Sequence, residues 1–191
     1  MEQSTSFHHL VFQDWSANPN SLKSRLILSS FRLTQVFTTR SGLISRLLGV
    51  LSTLFYTIIV QWIMGIDLPP CVMVGKGLQL FHGVGLVVHP DSVIGDGCIL
   101  RHCTTIGAKS GIGFGAEIPP VLGNHVDVGC NVVIIGPLSV GNYAVIGAGS
   151  VIVHDVPEYA VVCGNPGKVI GTRRSNNVSR VSSSAMPEEI S

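Results

Sequence analysis

Residues 88–106 read VHPDSVIGDGCILRHCTTI, with an aliphatic residue at Val88, Ile94, Leu100 and Ile106. The same six-residue spacing resumes in residues 122–152, LGNHVDVGCNVVIIGPLSVGNYAVIGAGSVI, at Leu122, Val128, Ile134, Val140, Ile146 and Ile152. Glycine directly follows Ile94, Ile106, Leu122, Val128, Val140 and Ile146, where it lets the chain turn sharply. A period of six fits neither an amphipathic helix nor an alternating strand. It predicts a parallel β-helix, in which each repeat is one strand plus a turn and three repeats close a triangular coil.

The grid extends backwards through Val74 and Leu80. Folded three to a coil, the inward sets are Val74/Leu80/Val88, Ile94/Leu100/Ile106, Leu122/Val128/Ile134 and Val140/Ile146/Ile152. Every column is then aliphatic, as a dry packed core requires. Two irregularities interrupt the period: a two-residue swelling at Phe81 to Val87 and a ten-residue insertion between Gly107 and Val121. Insertions in solenoids lie on the surface and frequently carry the binding site.

The chain has 191 residues, a net charge of +1 and only 12% charged residues, so no nucleic-acid footprint is visible. Its five cysteines, Cys71, Cys98, Cys103, Cys130 and Cys163, show no metal spacing and are expected to act as small hydrophobes in a reducing cytosol. No metal is expected. The first twenty residues lack the basic-then-apolar order of a signal peptide.

Three regions follow from the pattern. Residues 1–66 form an N-terminal arm and helical region, 67–172 the β-helix, and 173–191 a disordered tail rich in serine, asparagine and charge. Residues 1–20 read as an irregular arm ending in the turn Asn18-Pro19-Asn20. Ser21 is positioned to cap a helix with Leu22, Leu26, Ile27, Phe31, Leu33 and Val36 on one face and Lys23, Arg25 and Arg32 outside. A second helix includes Leu47–Ile66, twenty residues without a charge, which meets the length of a membrane span. Polar and glycine interruptions also permit a helix buried against the β-helix or a neighbouring subunit, or one lying on a membrane surface. The helices are expected to cover the first coil, whose strand edges would otherwise be open.

Folding the coils places His82 and His102, each two residues past an inward leucine, at one site on successive coils, roughly 5 Å apart. The column continues to Cys130 and Ala148. Without a metal-ligand set, the chemistry available to such a pair is proton transfer. A histidine base needs an acceptor to orient its second nitrogen. Asp67 is the candidate at the helix-to-solenoid junction, with Asp91, Asp96 and Glu117 as rivals. The insertion GAKSGIGFGAEIPP lacks a phosphate-loop pattern. The exit Gly164-Asn165-Pro166-Gly167-Lys168, with Arg173 and Arg174 beyond, suits either a phosphorylated ligand or a plain terminating turn.

These residues resemble a known family. GID (65–67), HGVGLVVHP (82–90), RHCTTIG (101–107), IGAGSVIV (146–153) with the following DVP, and GNPGKVIG (164–171) look like the hexapeptide-repeat acyltransferases of the serine acetyltransferase type. Within it the chain is most similar to the O-acetyltransferases of bacterial exopolysaccharide clusters, such as the colanic-acid enzymes. The resemblance implies a left-handed β-helix, acetyl-CoA as co-substrate and a bacterial cytoplasmic homotrimer, doubled to a hexamer if the helices pair. It gives His82 the role of general base and Asp67 that of the orienting carboxylate. CoA would lie along Ala108, Cys130, Ala148 and the exit residues Gly164, Asn165, Pro166 and Lys168.

Departures from the family bear on the acceptor. Serine acetyltransferases carry an acidic residue before the catalytic histidine and a second histidine in an Arg-His-Pro stretch of the loop. This chain has Phe81 and Ile118-Pro119-Pro120 there. An amino acid in a dry site needs charged partners. The reading is therefore a sugar O-acetyltransferase of exopolysaccharide or capsule synthesis, with Phe81, Arg101 and His102 at the acceptor. That acceptor is a sugar or a lipid-linked oligosaccharide at the inner face of the inner membrane. The alternatives are a serine O-acetyltransferase and a non-enzymatic scaffold or trimerisation module.

Overall fold

The structure, a computed structural model, describes residues 6–109 and 118–173. Glu117, Arg174 and the tail beyond it lie outside the described residues.

The periodic residues form a parallel β-solenoid with three flat faces, consistent with a left-handed coil. The first face stacks Met73–Val74, Val93–Ile94, Val121–Leu122 and Ser139–Val140. The second stacks Gln79–Phe81, Ile99–Arg101, Asp127–Val128, Val145–Ile146 and Ala160–Cys163. The third stacks Val87–Val88, Thr105–Gly107, Val133–Ile135 and Val151–Ile152. The register matches the columns expected from the six-residue grid: Val74 lies beside Ile94, Leu80 beside Leu100 and Val88 beside Ile106. All of these except the half-buried Val74 are within the dry core. A second inward position, two residues before the grid residue, carries Val72, Leu78, Leu86, Val126, Val132 and Leu138 in some repeats and the smaller Ser92, Cys98, Thr104, Ala144 and Ser150 in others.

Three helices precede the coils: α1 (Phe7–Phe12), α2 (Leu22–Thr39) and α3 (Leu43–Tyr56), which runs on as a π-helical segment through Ile63. Ser21 caps α2 as expected, its hydroxyl accepting from the Ser24 N–H at 3.1 Å. The helices cover the first coil, and they do so with side chains. Asn18 mimics a strand, donating to the Leu78 carbonyl at 2.8 Å and accepting from the Leu80 N–H at 3.0 Å. Asp14 accepts from the Leu78 N–H at 2.9 Å, and the Ser24 hydroxyl donates to the Leu80 carbonyl at 2.6 Å. These bonds satisfy backbone groups that a solenoid end leaves open. At the other end Lys168–Thr172 folds back antiparallel on Ala160–Cys163.

Several expectations are corrected here. The irregular arm contains α1, held by the buried Val11 and by Phe7 against Phe37, with ring centroids 6.0 Å apart. Arg32, expected outside, is 3% exposed. It is needed at the open edge: it pairs with Asp14 at 2.8 Å and donates to the Val74 and Gly75 carbonyls at 2.8 and 2.6 Å. Leu22 and Leu26, expected on the packed face of α2, are exposed because that face turns toward the coil through Ile27, Leu28 and Phe31 instead. Of the cysteines only Cys98 is a buried core residue, and burial pushes its thiol up to about 11. The other four sit on corners or outer faces. The apolar Leu47–Ile66 stretch is not buried against the β-helix: within Leu43–Ile63 the buried residues are Gly49, Tyr56 and Val60, while Leu43, Leu47, Trp62 and Ile63 face outward.

Candidate functional site

His82 follows the second-face strand Gln79–Phe81 and adopts the left-handed conformation, φ 64°, as does Gly83 at 45°. A Cβ on Gly83 would meet Ile66 at 2.9 Å, so only glycine lets the swelling lie this close to the end of the helical region. The swelling is tied down there by the Gly85 N–H donating to the Gly65 carbonyl at 2.7 Å. Asp67 then enters the solenoid beside Val87, its N–H donating to Leu86 and its carbonyl accepting from Val88, both at 2.8 Å. Asp67 and His82 therefore flank one turn. Among the described residues no hydrogen bond joins their side chains; Asp67 accepts from Gln61 at 3.0 Å.

The histidine pair stands where the grid places it. The His82 and His102 rings are 6.1 Å apart at 72°, edge to face. His102 Nδ1 is buried without a hydrogen-bond partner, an atom left for a ligand or water. The same corner between the second and third faces continues through Cys130 and Ala148, as the Asn131 N–H to His102 and Gly149 N–H to Cys130 bonds show. It ends at Gly164, whose N–H donates to the Ser150 hydroxyl at 3.1 Å and whose carbonyl accepts from Val151 at 2.9 Å. Asn165 and Pro166, joined by a cis peptide bond, and Lys168 are exposed just beyond. Side chains thus shrink from imidazole to thiol to methyl to hydrogen along one edge. A long ligand has room to lie there.

Other expected site residues lie elsewhere. Asp96 occupies the corner between the first and second faces, accepting from the Lys76 N–H at 2.9 Å. Asp91 stands at the third corner, its N–H donating to His89 at 3.2 Å. Ala108 follows Thr105–Gly107 at that third corner too, a strand's length (roughly 10 Å) from His82 on the same subunit.

Arg101 is pinned. Its guanidinium pairs with the Asp127 carboxylate, donates to the Val128 carbonyl at 2.8 Å and stacks over Phe81 at 5.5 Å. Sequence reasoning missed Asp127 and Gln61. Asp127 sits on the next coil beside Ile99, two residues out of register with Arg101, so the column arithmetic that found the histidines leads to Gly129 instead. Gln61 could not be found that way, because it reaches Asp67 from a helix. Tyr56 donates to the Leu68 carbonyl at 2.9 Å; burial first, and the Asp67 charge second, push its pKa upward, so the phenol stays protonated. A cavity of about 610 Å³ opens beside Phe81 and His82, between Ser16–Ser24 and Gln79–Gly83.

No protein-family model matches the chain. It is 38% identical over 115 residues to serine acetyltransferase 4 of Arabidopsis thaliana, covering 59% of this chain and 31% of the relative. It is 28% identical over 161 residues to the putative colanic acid biosynthesis acetyltransferase of Escherichia coli K12, covering 83% of this chain and 98% of the relative. A solved serine acetyltransferase in complex with CoA superposes with a TM-score of 0.67 at 25% identity, over 84% of this chain and 68% of that one. The chain thus spans about a third of the length of the plant relatives it matches. In sequence and fold it is similar to the hexapeptide-repeat acyltransferases of the serine acetyltransferase type, with a colanic acid acetyltransferase among its relatives.

Proposed function

We propose that this chain transfers the acetyl group of acetyl-CoA to a hydroxyl of a sugar in exopolysaccharide or capsule synthesis. The observation that carries the acceptor is the neutralised Arg101. With Asp127 on its guanidinium and Phe81 beneath it, Arg101 is not free to hold an amino-acid carboxylate. The cavity at His82 sets the hydroxyls and amides of Ser16, Asn20, Ser21 and Gln79 among apolar groups such as Phe81, a mixture that suits a sugar.

His82 takes the acceptor hydroxyl proton as the oxygen attacks the thioester carbonyl. The tetrahedral intermediate collapses with loss of the CoA thiolate, which receives the proton from His82. Asp67 orients the imidazole once Gln61 yields its hydrogen bond, and His102 lends its unpartnered nitrogen to the acceptor. The edge from Cys130 to Gly164 and Lys168 holds CoA. Ala108 belongs to the same ligand only if a neighbouring copy supplies it, which favours a homotrimer with sites between subunits. The setting is the bacterial cytoplasm.

A second reading, serine O-acetyltransferase, is favoured by the names of most relatives. One assay separates the two: release of CoA thiol from acetyl-CoA with a panel of saccharides or with L-serine. Saccharide-dependent release that falls on the order of a hundredfold or more in His82→Ala is expected. Comparable turnover with L-serine would transfer the assignment to the second reading.

A further inference from the structure

The segment that carries Gln61 is not α-helical. From Thr57 to Ile63 the chain runs in the π register, and just beyond it the Met64 N–H donates to the Ile59 carbonyl at 3.0 Å. Short π-helical stretches within α-helices are uncommon and gather at functional sites. Here the register decides where two side chains point. Tyr56 and Gln61 are five residues apart, a spacing that an α-helix would turn about 140° from one side to another. In the wider π turn both reach the same junction: Tyr56 donates to the Leu68 carbonyl at 2.9 Å and Gln61 to the Asp67 carboxylate at 3.0 Å. The apolar neighbours go elsewhere, since Ile59, Val60 and Met64 line an apolar groove of about 810 Å³ between the helices, which Lys23 also lines. Gln61 is half-buried, while Asp67 and His82 are exposed and flank the turn that the Gly65–Gly85 bond ties down.

We infer that Gln61 is a positioning residue that withholds Asp67 from His82 until the imidazole becomes charged. A neutral amide N–H and a neutral imidazole N–H are comparable donors, and the π segment delivers the amide already aimed at the carboxylate. An imidazolium is the stronger donor to a carboxylate. As His82 takes the proton of the acceptor hydroxyl, the balance tips and Asp67 leaves Gln61 for His82. The attraction between Asp67 and His82 is then realised in the transition state rather than before it, and only such interactions speed the chemical step. The Gln61 bond still has to be broken on the way, so removing its amide raises the rate. This rests on the acetyltransferase reading above for the role of His82, whereas the competition for Asp67 is observable without turnover.

The test is proton NMR of the full-length protein with isotope-labelled histidine, in which an imidazole N–H bonded to a carboxylate gives a low-field line. Gln61→Met keeps the length and helix preference of the side chain and removes its polar end. The line, assigned to His82 by its loss in His82→Ala, is expected in Gln61→Met and not in the wild-type protein. It should vanish again when Asp67→Asn is added to Gln61→Met. With acetyl-CoA and a saccharide acceptor, Gln61→Met should raise kcat about threefold with KM unchanged. A merely structural Gln61 would lower the thermal midpoint on substitution without producing the line. A line already present in the wild-type protein, absent from Gln61→Met or surviving in the double variant overturns the inference, as does a kcat no higher than that of the wild type. If the line behaves as expected and no acceptor is acetylated, Gln61 keeps its hold on Asp67 and the acetyltransferase reading falls.

Discussion

The coils and the helices handle apolar residues in opposite ways. In the coils, Leu80, Leu100, Val128 and Ile146 stack in register inside a dry prism, and the outer faces carry the polar chemistry. In the helical region, Leu43 is 85% exposed, Leu47 61% and Trp62 76%, while Asp14, Asn18, Ser24 and Arg32 are buried. The inversion has a physical cause. A solenoid coil finds its backbone partners in the next coil, so its interior needs no polar atoms. The first coil has no preceding partner. The helices must supply hydrogen-bonding side chains there and turn much of their apolar surface outward.

That contrast can be broken, and the largest effect is expected at its polar end. Asp14→Ala leaves the Arg32 guanidinium buried without its counterion and the Leu78 N–H without an acceptor. A loss of about 4 kcal/mol in urea unfolding is expected. A loss under about 1 kcal/mol would mean that the cap is dispensable and the coil end tolerates water. Next in size is Leu100→Ala, which opens a cavity between Leu80 and Val128 and should cost about 3 kcal/mol by the same measurement. Smallest is Leu47→Gln on the exposed face of α3, expected within about 0.5 kcal/mol of the wild-type protein. A cost comparable with that of Leu100→Ala would show that another copy or a membrane covers this helix in solution. It would then be a second buried face rather than the opposite of one.

How far the sequence could be read followed the same division. The histidine pair was legible because Leu80 and Leu100 are grid residues, and adding two to each number lands on one outer site. Asp96 and Asp91 were open rivals to Asp67 until their corners were known. Each corner faces a different way, and the Gly65–Gly85 tie together with the Asp67–Val87 bridge brings Asp67 to the turn that bears His82. Arg32 reads as a solvated cation on α2. Its acid is 18 residues away and its carbonyl acceptors more than 40, distances over which helical periodicity carries no information.

By itself the sequence determined the solenoid, its register and the shared edge of His82 and His102, because a six-residue period leaves each aliphatic side chain one place to go. Tertiary structure alone decided the rest. Arg101 is neutralised by Asp127, Arg32 is buried at an open strand edge, and Lys23 lines both the cavity at His82 and the apolar groove between the helices. Each depends on which element packs against which, and such contacts between distant segments leave no period in the chain.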